Sequence, residues 1–349
     1  MSESHTLSIS EVKKETPNSV SISFKVPAEL KDKYRYKAGQ YITIKFDHKG
    51  KELRRAYSIC SVPGSDYLQV GVKKVGGGVF SEFANSQLKV GDTLNVMLPE
   101  GKFILDPDKS TSKNYAAFVA GSGITPVLSI IETALTEEPN CTFALLYGNQ
   151  SLNETMFRSK LLALQASYPE RFHLEFIYSR NQEDDALFGR IERSTVNYVL
   201  KNKLQGRRFD DFYLCGPEPM IEEVSSVLRA SGIEKNKIHF ELFTSSKEGA
   251  LLEPHDGNTQ LTVTVDDETE TFTMPQNKSV LEAVLAQKID APYSCQGGIC
   301  STCVARIIEG KAEMRKNQIL TDSEIAEGLV LTCQAHPTTS TLVVDYDDV

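Results

Sequence analysis

The chain has 349 residues, 40% of them hydrophobic and 24% charged, with a formal net charge of −9 at neutral pH. That length exceeds one ordinary domain, and the composition is that of a globular chain, neither disordered nor fibrous. The acidity argues against a nucleic-acid partner, and no apolar run approaches the ~18 residues of a membrane span, so neither nucleic acid nor membrane is an expected partner.

The N-terminal MSESHTLSIS has no apolar core and no cleavage site, so no signal peptide is expected and a cytoplasmic location is. Seven cysteines are an odd count for a disulfide framework. In a chain without an export signal they point to metal or redox chemistry in a reducing compartment. The charge is uneven. From residue 258 onward there are 14 acidic and 6 basic residues, which is −8 of the total −9.

The first hundred residues predict β-structure. HTLSISEVKK, SVSISFKVP, QYITIKF, RRAYSIC, YLQVGVKKV and DTLNVMLP are short Val-, Ile-, Thr- and Tyr-rich runs separated by Gly, Pro, Asn and Asp. Such a series predicts an antiparallel barrel or sandwich, interrupted by one helix at FSEFANSQ. From about residue 110 strands alternate with helices: YAAFVAG, PVLSIIETALTEE, CTFALLYG, ETMFRSKLLALQASY, RFHLEFIYS, DDFYLCG and PMIEEVSSVLRASG. That alternation predicts a parallel sheet covered on both faces, with KIHFELF as its last strand near Phe243. Residues 244–257 read as a polar linker. Beyond it come a hairpin-like pair, QLTVTVDD and ETFTMP, a short helix SVLEAVLAQK, a cysteine-rich loop and further strands. The expected domains are therefore 1–107, 108–243 and 258–349.

Cys295, Cys300 and Cys303 stand in SCQGGICSTC, and Cys333 in LTCQAHP. The spacing C-x4-C-x2-C, then 29 intervening residues, then Cys is that of a plant-type [2Fe–2S] cluster. Gly297 and Gly298 let the loop wrap closely and turn N–H groups toward sulfur. The competing reading is a structural zinc site, but such sites usually pair two C-x2-C knuckles, and only one is present. Cys60 and Cys141 read as small buried hydrophobes, and Cys60, Cys141 and Cys215 are not expected ligands.

YAAFVA runs into Gly121-Ser122-Gly123-Ile124-Thr125-Pro126, a glycine turn between strand and helix of the kind that brings backbone N–H groups to a pyrophosphate. A second turn, Cys215-Gly216-Pro217, follows FYLCG. Two such turns in one parallel sheet predict a dinucleotide crevice. Ser179 and Arg180 end the third strand, where they suit a cofactor 2′-phosphate, so NADPH is expected and NADH remains open; otherwise Arg180 is a solvated strand-end charge.

In the first domain Arg55-Ala56-Tyr57-Ser58 offers a guanidinium for a pyrophosphate, a ring to lie on a ring, and a hydroxyl. A second segment, from Val72 and Lys73 to Ser81, places Gly78, Val79 and Ser81 at a helix start suited to phosphate. A nicotinamide gives two electrons at once and a [2Fe–2S] cluster takes one, so a flavin is needed between them.

In combination RAYS, GGGVFS, GSGITP, CGPEPM and the four-cysteine pattern resemble the ferredoxin–NADP reductase family fused to a C-terminal plant-type ferredoxin, over essentially the whole chain. The resemblance implies an FAD-binding antiparallel barrel, an NAD(P)-binding α/β domain and an α+β β-grasp ferredoxin domain. It implies that Arg55 meets the FAD pyrophosphate and Tyr57 and Ser58 the isoalloxazine, with Gly78 and Ser81 in the second phosphate segment. Thr125 and Cys215 match positions lining the nicotinamide, and Glu241 and Phe243 a segment beside the flavin.

The domain order is similar to that of reductases serving phenylacetyl-CoA epoxidases and 3-ketosteroid 9α-hydroxylases. The expected partner is therefore a separate oxygenase component, and no residue beyond the cofactors need act as acid, base or nucleophile. Two other readings are a redox sensor that does not turn over, and an oxidoreductase with its own substrate pocket. The second lacks a domain to hold one, and the six histidines are scattered.

Overall fold

A computed structural model of the chain describes residues 3–243 and 257–349. The expected linker falls, apart from Gly257, outside the described residues. Two compact units emerge. One consists of Thr6–Glu52 with Tyr57–Phe243, and the other holds the remaining described residues.

The chain opens with β1 (Ser4–Thr16), β2 (Ser19–Lys25), β3 (Tyr41–His48), β4 (Lys51–Ser58), β5 (Leu68–Lys73), helix α1 (Val79–Ser86) and β6 (Thr93–Met97). The strands form one sheet in the order β4-β3-β6-β1-β2-β5. An antiparallel bridge from Ile59, just past β4, to Val70 of β5 brings its two ends together. The sheet thus closes as a barrel and leaves little unpaired edge. Its interior is filled by Ile22, Phe24, Ile42, Ile44, Val70, Val72 and Val96.

The second sheet is the alternating part of the sequence made real. It runs β7 (Asn114–Ala120), α2 (Ile124–Glu137), β8 (Thr142–Asn149), α3 (Arg158–Ser167), β9 (Phe172–Tyr178), β10 (Leu187–Phe188), α4 (Arg193–Tyr198), β11 (Asp211–Cys215), α5 (Glu218–Ala230) and β12 (Ile238–Glu241). All pairings are parallel, in the order β10-β9-β8-β7-β11-β12. The near-continuous apolar runs of β7 and β8 fit strands buried on both faces.

Two differences from the sequence expectation have local causes. Helix α3 starts only at Arg158 because Phe157 sits in the left-handed region at φ 56°, which ends a preceding single turn and redirects the chain. The short strand β10 and helix α4, continued by a π turn over Val199–Lys203, carry too little periodicity to be predicted from the sequence.

The last 93 described residues form a mixed sheet of β13 (Asn258–Val265), β14 (Glu268–Pro275), β15 (Val304–Met314), β16 (Leu329–Leu331) and β17 (Ala335–Asp345), in the order β14-β13-β17-β15-β16. β13 and β17 are parallel, and the hairpin pair β13–β14 is antiparallel as expected. Helix α6 (Val280–Ala286) begins with a full capping box between Ser279 and Glu282, and the shorter α7 (Asp322–Ala326) repeats it with Thr321 and Glu324. This α+β arrangement, with a helix over a mixed sheet, is the expected β-grasp.

At the amino ends of β11 and β12, Asp211 accepts hydrogen bonds from His239 Nε2 at 3.0 Å and Lys113 Nζ at 3.1 Å. The His239 bond holds its carboxyl below the usual carboxylate range against partial burial, and Lys113 adds to it. A lowered folded-state pKa stabilises above the unfolded carboxylate range and is lost as pH falls through the folded value. Asp211→Asn should therefore cost about 1 kcal/mol in urea unfolding near pH 7, and the difference should shrink toward zero below roughly pH 3.

Candidate functional site

In the parallel sheet the strand order reverses between β7 and β11, because β7 continues into β8 on one side and pairs with β11 on the other. Ligands of open α/β sheets bind at such a switch point, beyond the carboxyl ends of the strands. Both turns singled out in the sequence lie there. Val119 pairs with Cys215, so Gly121–Gly123 and Cys215-Gly216-Pro217 leave adjacent strands side by side.

The turns are in close contact. A β-carbon on Gly123 would overlap the Cys215 carbonyl and stand 3.1 Å from its Sγ. Gly121 takes φ 56°, a conformation glycine adopts without strain. Ile124 and Pro126 open α2 and are buried, while Thr125 Oγ1 donates to the Ser122 carbonyl at 3.0 Å.

One residue the motifs did not single out holds this turn. The fully buried Tyr147 of β8 donates its hydroxyl to the Gly121 carbonyl at 2.9 Å, with the Met156 carbonyl at 3.4 Å. No local pattern marks a tyrosine in an apolar strand for such a role. Only the register of β8 beside β7 reveals it.

Ser179 and Arg180 follow β9. The Ser179 hydroxyl donates to the Asn149 carbonyl at 3.4 Å, and the Arg180 side chain is exposed. Ser179 is therefore partly occupied by the backbone, whereas Arg180 is open to a ligand.

Within the same compact unit, the Ser58 hydroxyl of β4 donates to Glu241 Oε2 of β12 at 3.1 Å, and Glu241 lies in register with Cys215. Burial first, and then the Glu241 charge, push the Cys215 thiol well up, so it stands as a neutral SH group. Three expected residues from separate segments, Ser58, Cys215 and Glu241, are thus brought together. Phe243 follows them and remains 37% exposed.

The other flavin candidates lie on the barrel. Arg55 is exposed on β4 beyond the half-buried Ala56, and donates one bond to the Arg54 carbonyl at 2.7 Å. The half-buried Tyr57 ring lies 5.5 Å from Phe80. Val72 is buried in the barrel, and the Lys73 amine is directed away from it, toward Gly121. Gly78 is the N-cap of α1 and Val79 its first residue. Ser81 accepts from the Val75 amide and donates to the Gly78 carbonyl, each at 3.1 Å, so its hydroxyl shapes the loop.

The residues fit the groups assigned to them. α1 begins on the bare Gly78 without a side-chain cap, which suits a ligand's phosphates; in α2 and α5 the Ile124 amide is held by the Gly121 and Ser122 carbonyls and the Met220 amide by that of Pro217, so there the glycines' bare backbone is what allows a close approach.

In the C-terminal unit the four expected cysteines converge. The thiol of Cys295 is hydrogen-bonded to those of Cys300 and Cys333, and Cys333 to Cys303. The loop allows this through left-handed Gln296 and Gly298, where a β-carbon on Gly298 would stand 2.7 Å from the Lys316 carbonyl. The Gly297 amide donates to Cys295 Sγ at 3.4 Å, and the Gly298 amide donates to the Cys333 sulfur.

Thr332 ties the two ends of the motif together. Its amide and its hydroxyl both donate to the Cys303 carbonyl, at 3.0 and 2.9 Å. Among the described residues no three ligating side chains close on one ion centre. Cys333 thus meets both Cys295 and Cys303, so the four sulfurs form one connected group, whose number and spacing suit the expected [2Fe–2S] cluster.

The chain matches three domain families in this order: an oxidoreductase FAD-binding domain over residues 6–104, an oxidoreductase NAD-binding domain over 118–226 and a 2Fe-2S iron-sulfur cluster binding domain over 263–338. It is 38% identical to an Escherichia coli 1,2-phenylacetyl-CoA epoxidase subunit, with 98% of both chains covered. The chain belongs to the ferredoxin–NADP reductase family with a C-terminal [2Fe–2S] domain.

The ferredoxin reductase component of 3-ketosteroid-9-alpha-monooxygenase from Rhodococcus rhodochrous is 32% identical over 99% of this chain and 97% of its own. The fold is that of phthalate dioxygenase reductase, with a TM-score of 0.61, 22% identity and 98% of both chains covered. The protein is an NAD(P)H-dependent flavin and iron–sulfur oxidoreductase, the reductase component of a multicomponent oxygenase. No described helix is long and apolar enough to cross a membrane.

Tyr147 supplies a test of the crevice. Tyr147→Phe leaves the Gly121 carbonyl without its donor, at a cost of about 1–2 kcal/mol. The dissociation constant for NADP+, measured calorimetrically, should rise roughly five- to thirtyfold while FAD and iron content stay unchanged.

Proposed function

We propose that this chain is the reductase of a phenylacetyl-CoA epoxidase type oxygenase, drawing on NADPH and working in the cytoplasm. The observation that carries the partner assignment is the 38% identity over 98% of both chains to an epoxidase subunit, against 32% to a ketosteroid monooxygenase reductase. The location rests on seven free cysteines, which suit a reducing compartment.

When bound, FAD accepts two electrons from NAD(P)H and releases them singly to the [2Fe–2S] cluster. The chain's own residues position and insulate this chemistry. Arg55 clamps the FAD pyrophosphate, Tyr57 and Ser58 face the ring system, and Val72, Lys73, Gly78, Val79 and Ser81 shape the pocket around the phosphates. Gly121 to Pro126 and Cys215 to Pro217 seat the nucleotide. Cys215 stays a neutral thiol that does not compete as a nucleophile, Glu241 is held by Ser58, and Phe243 covers the ring. Cys295, Cys300, Cys303 and Cys333 ligate the irons.

Arg180 is the residue that favours NADPH, since an exposed guanidinium at the end of β9 can form charge-assisted bonds to a 2′-phosphate. Arg180→Ala should raise KM for NADPH about tenfold to a hundredfold, the equivalent of ~1.5–3 kcal/mol, with KM for NADH changed less than about twofold. An equal effect on both nucleotides in stopped-flow flavin reduction would remove the NADPH assignment.

The partner is tested by steady-state reduction of a purified epoxidase oxygenase component beside a Rieske-type hydroxylase. Faster delivery to the Rieske enzyme would transfer the assignment to the ketosteroid type. The acidic C-terminal unit is expected to dock on a basic partner surface, so the rate to the true partner should fall as salt rises from about 50 to 500 mM.

A further inference from the structure

Strand β5 carries an isolated glycine between two buried valines. Val70 and Val72 point into the barrel core. Gly71 therefore faces the opposite way, and what it faces belongs to the α/β part of the same compact unit. A β-carbon at Gly71 would stand 2.6 Å from Thr125 Cγ2, 3.0 Å from Met156 Cε and 3.2 Å from Phe157 Cε2. The Met156 contact is the tip of a flexible side chain and can yield.

The Thr125 contact cannot yield cheaply. Thr125 is 2% exposed in the first turn of α2, and its hydroxyl donates to the Ser122 carbonyl. Turning the methyl group away would take the hydroxyl with it, because both sit on one branched carbon. Phe157 is 3% exposed and fixed at φ 56°.

We propose that Gly71 is a positioning residue: its bare backbone against the Thr125 methyl group sets the spacing between the flavin-bearing strand and the nicotinamide turn. Val72 and Lys73 continue the strand on one side of this contact, and Thr125 is part of the turn on the other, so the inference rests on the site roles proposed above. Two electrons pass from reduced nicotinamide to flavin as a hydride, leaving NAD(P)+, and that transfer needs its donor and acceptor atoms about 3–3.5 Å apart. A displacement of a few tenths of an ångström at Gly71 acts on that gap.

The test uses the full-length, FAD- and cluster-loaded protein. In Gly71→Ala, flavin reduction at saturating NADPH should slow about tenfold or more. The dissociation constant for NADP+ should stay within about threefold, and the long-wavelength absorbance band that NADP+ forms with reduced flavin should weaken. Thr125→Ser keeps the hydroxyl and removes the methyl group that an added β-carbon at position 71 would strike. Thr125→Ser serves as the reference background whatever its own rate: adding Gly71→Ala to it should slow flavin reduction less than about threefold and leave its absorbance band unchanged.

Gly71→Ala flavin reduced at the wild-type rate would overturn the proposal, and so would a double variant about tenfold or more slower than Thr125→Ser. If Gly71→Ala yields no loaded protein, the double variant decides alone. Loaded protein within about threefold of Thr125→Ser upholds the proposal, and slower protein or a failure to load overturns it. Wild-type flavin that NADPH does not reduce would sink the functional reading as well.

Discussion

The chemistry depends on one packing constraint, the approach of the Gly121–Gly123 turn to Cys215. The two turns leave neighbouring strands of a parallel sheet at the point where strand order reverses. Only glycine at position 123 lets them meet, since any side chain there would overlap the Cys215 carbonyl. Because they meet, α2 and α5 start side by side at the mouth of the same crevice. The same closeness places Glu241, in register with Cys215, within reach of Ser58 on the barrel. A loosened turn would therefore disturb the nicotinamide seat and the Ser58–Glu241 hydrogen bond together. Tyr147 opposes that loosening from behind, through the Gly121 carbonyl.

The iron–sulfur unit solves a different problem with different means. Its candidate ligands come from a tight loop and from a strand end 30 positions later, and four thiols, three of them buried, do not gather without help. The help is backbone. Left-handed Gln296 and Gly298 coil the loop, glycine amides donate to the ligand sulfurs, and Thr332 anchors Cys333 to Cys303. A thiol must give up its proton to ligate iron, so loading of a cluster there would be coupled to the order of the loop.

Legibility in the sequence followed the range of the interaction. The strand–helix alternation, the glycine turns and the cysteine spacing are local patterns, and each element they predicted is present. Boundaries failed where a single dihedral decided them, as at Phe157, whose left-handed conformation no neighbouring residue announces. The short β10 and α4 failed for want of length. Long-range partners were invisible in another way. Tyr147 reads as strand filler until β8 is laid beside β7, and the Ser58–Glu241 bond spans 183 positions. Gly71 lay between. An isolated glycine inside a strand signals close backbone approach, but the sequence does not say what approaches.

The distribution of charge completes the argument about direction. The first 257 residues are nearly neutral, and the remainder holds nearly all of the net negative charge. The neutral part carries Lys73 and the exposed Arg180, with little net charge of its own to oppose a ligand's phosphates. The acidic part instead favours a basic partner surface and disfavours an acidic one, a preference that weakens as salt rises.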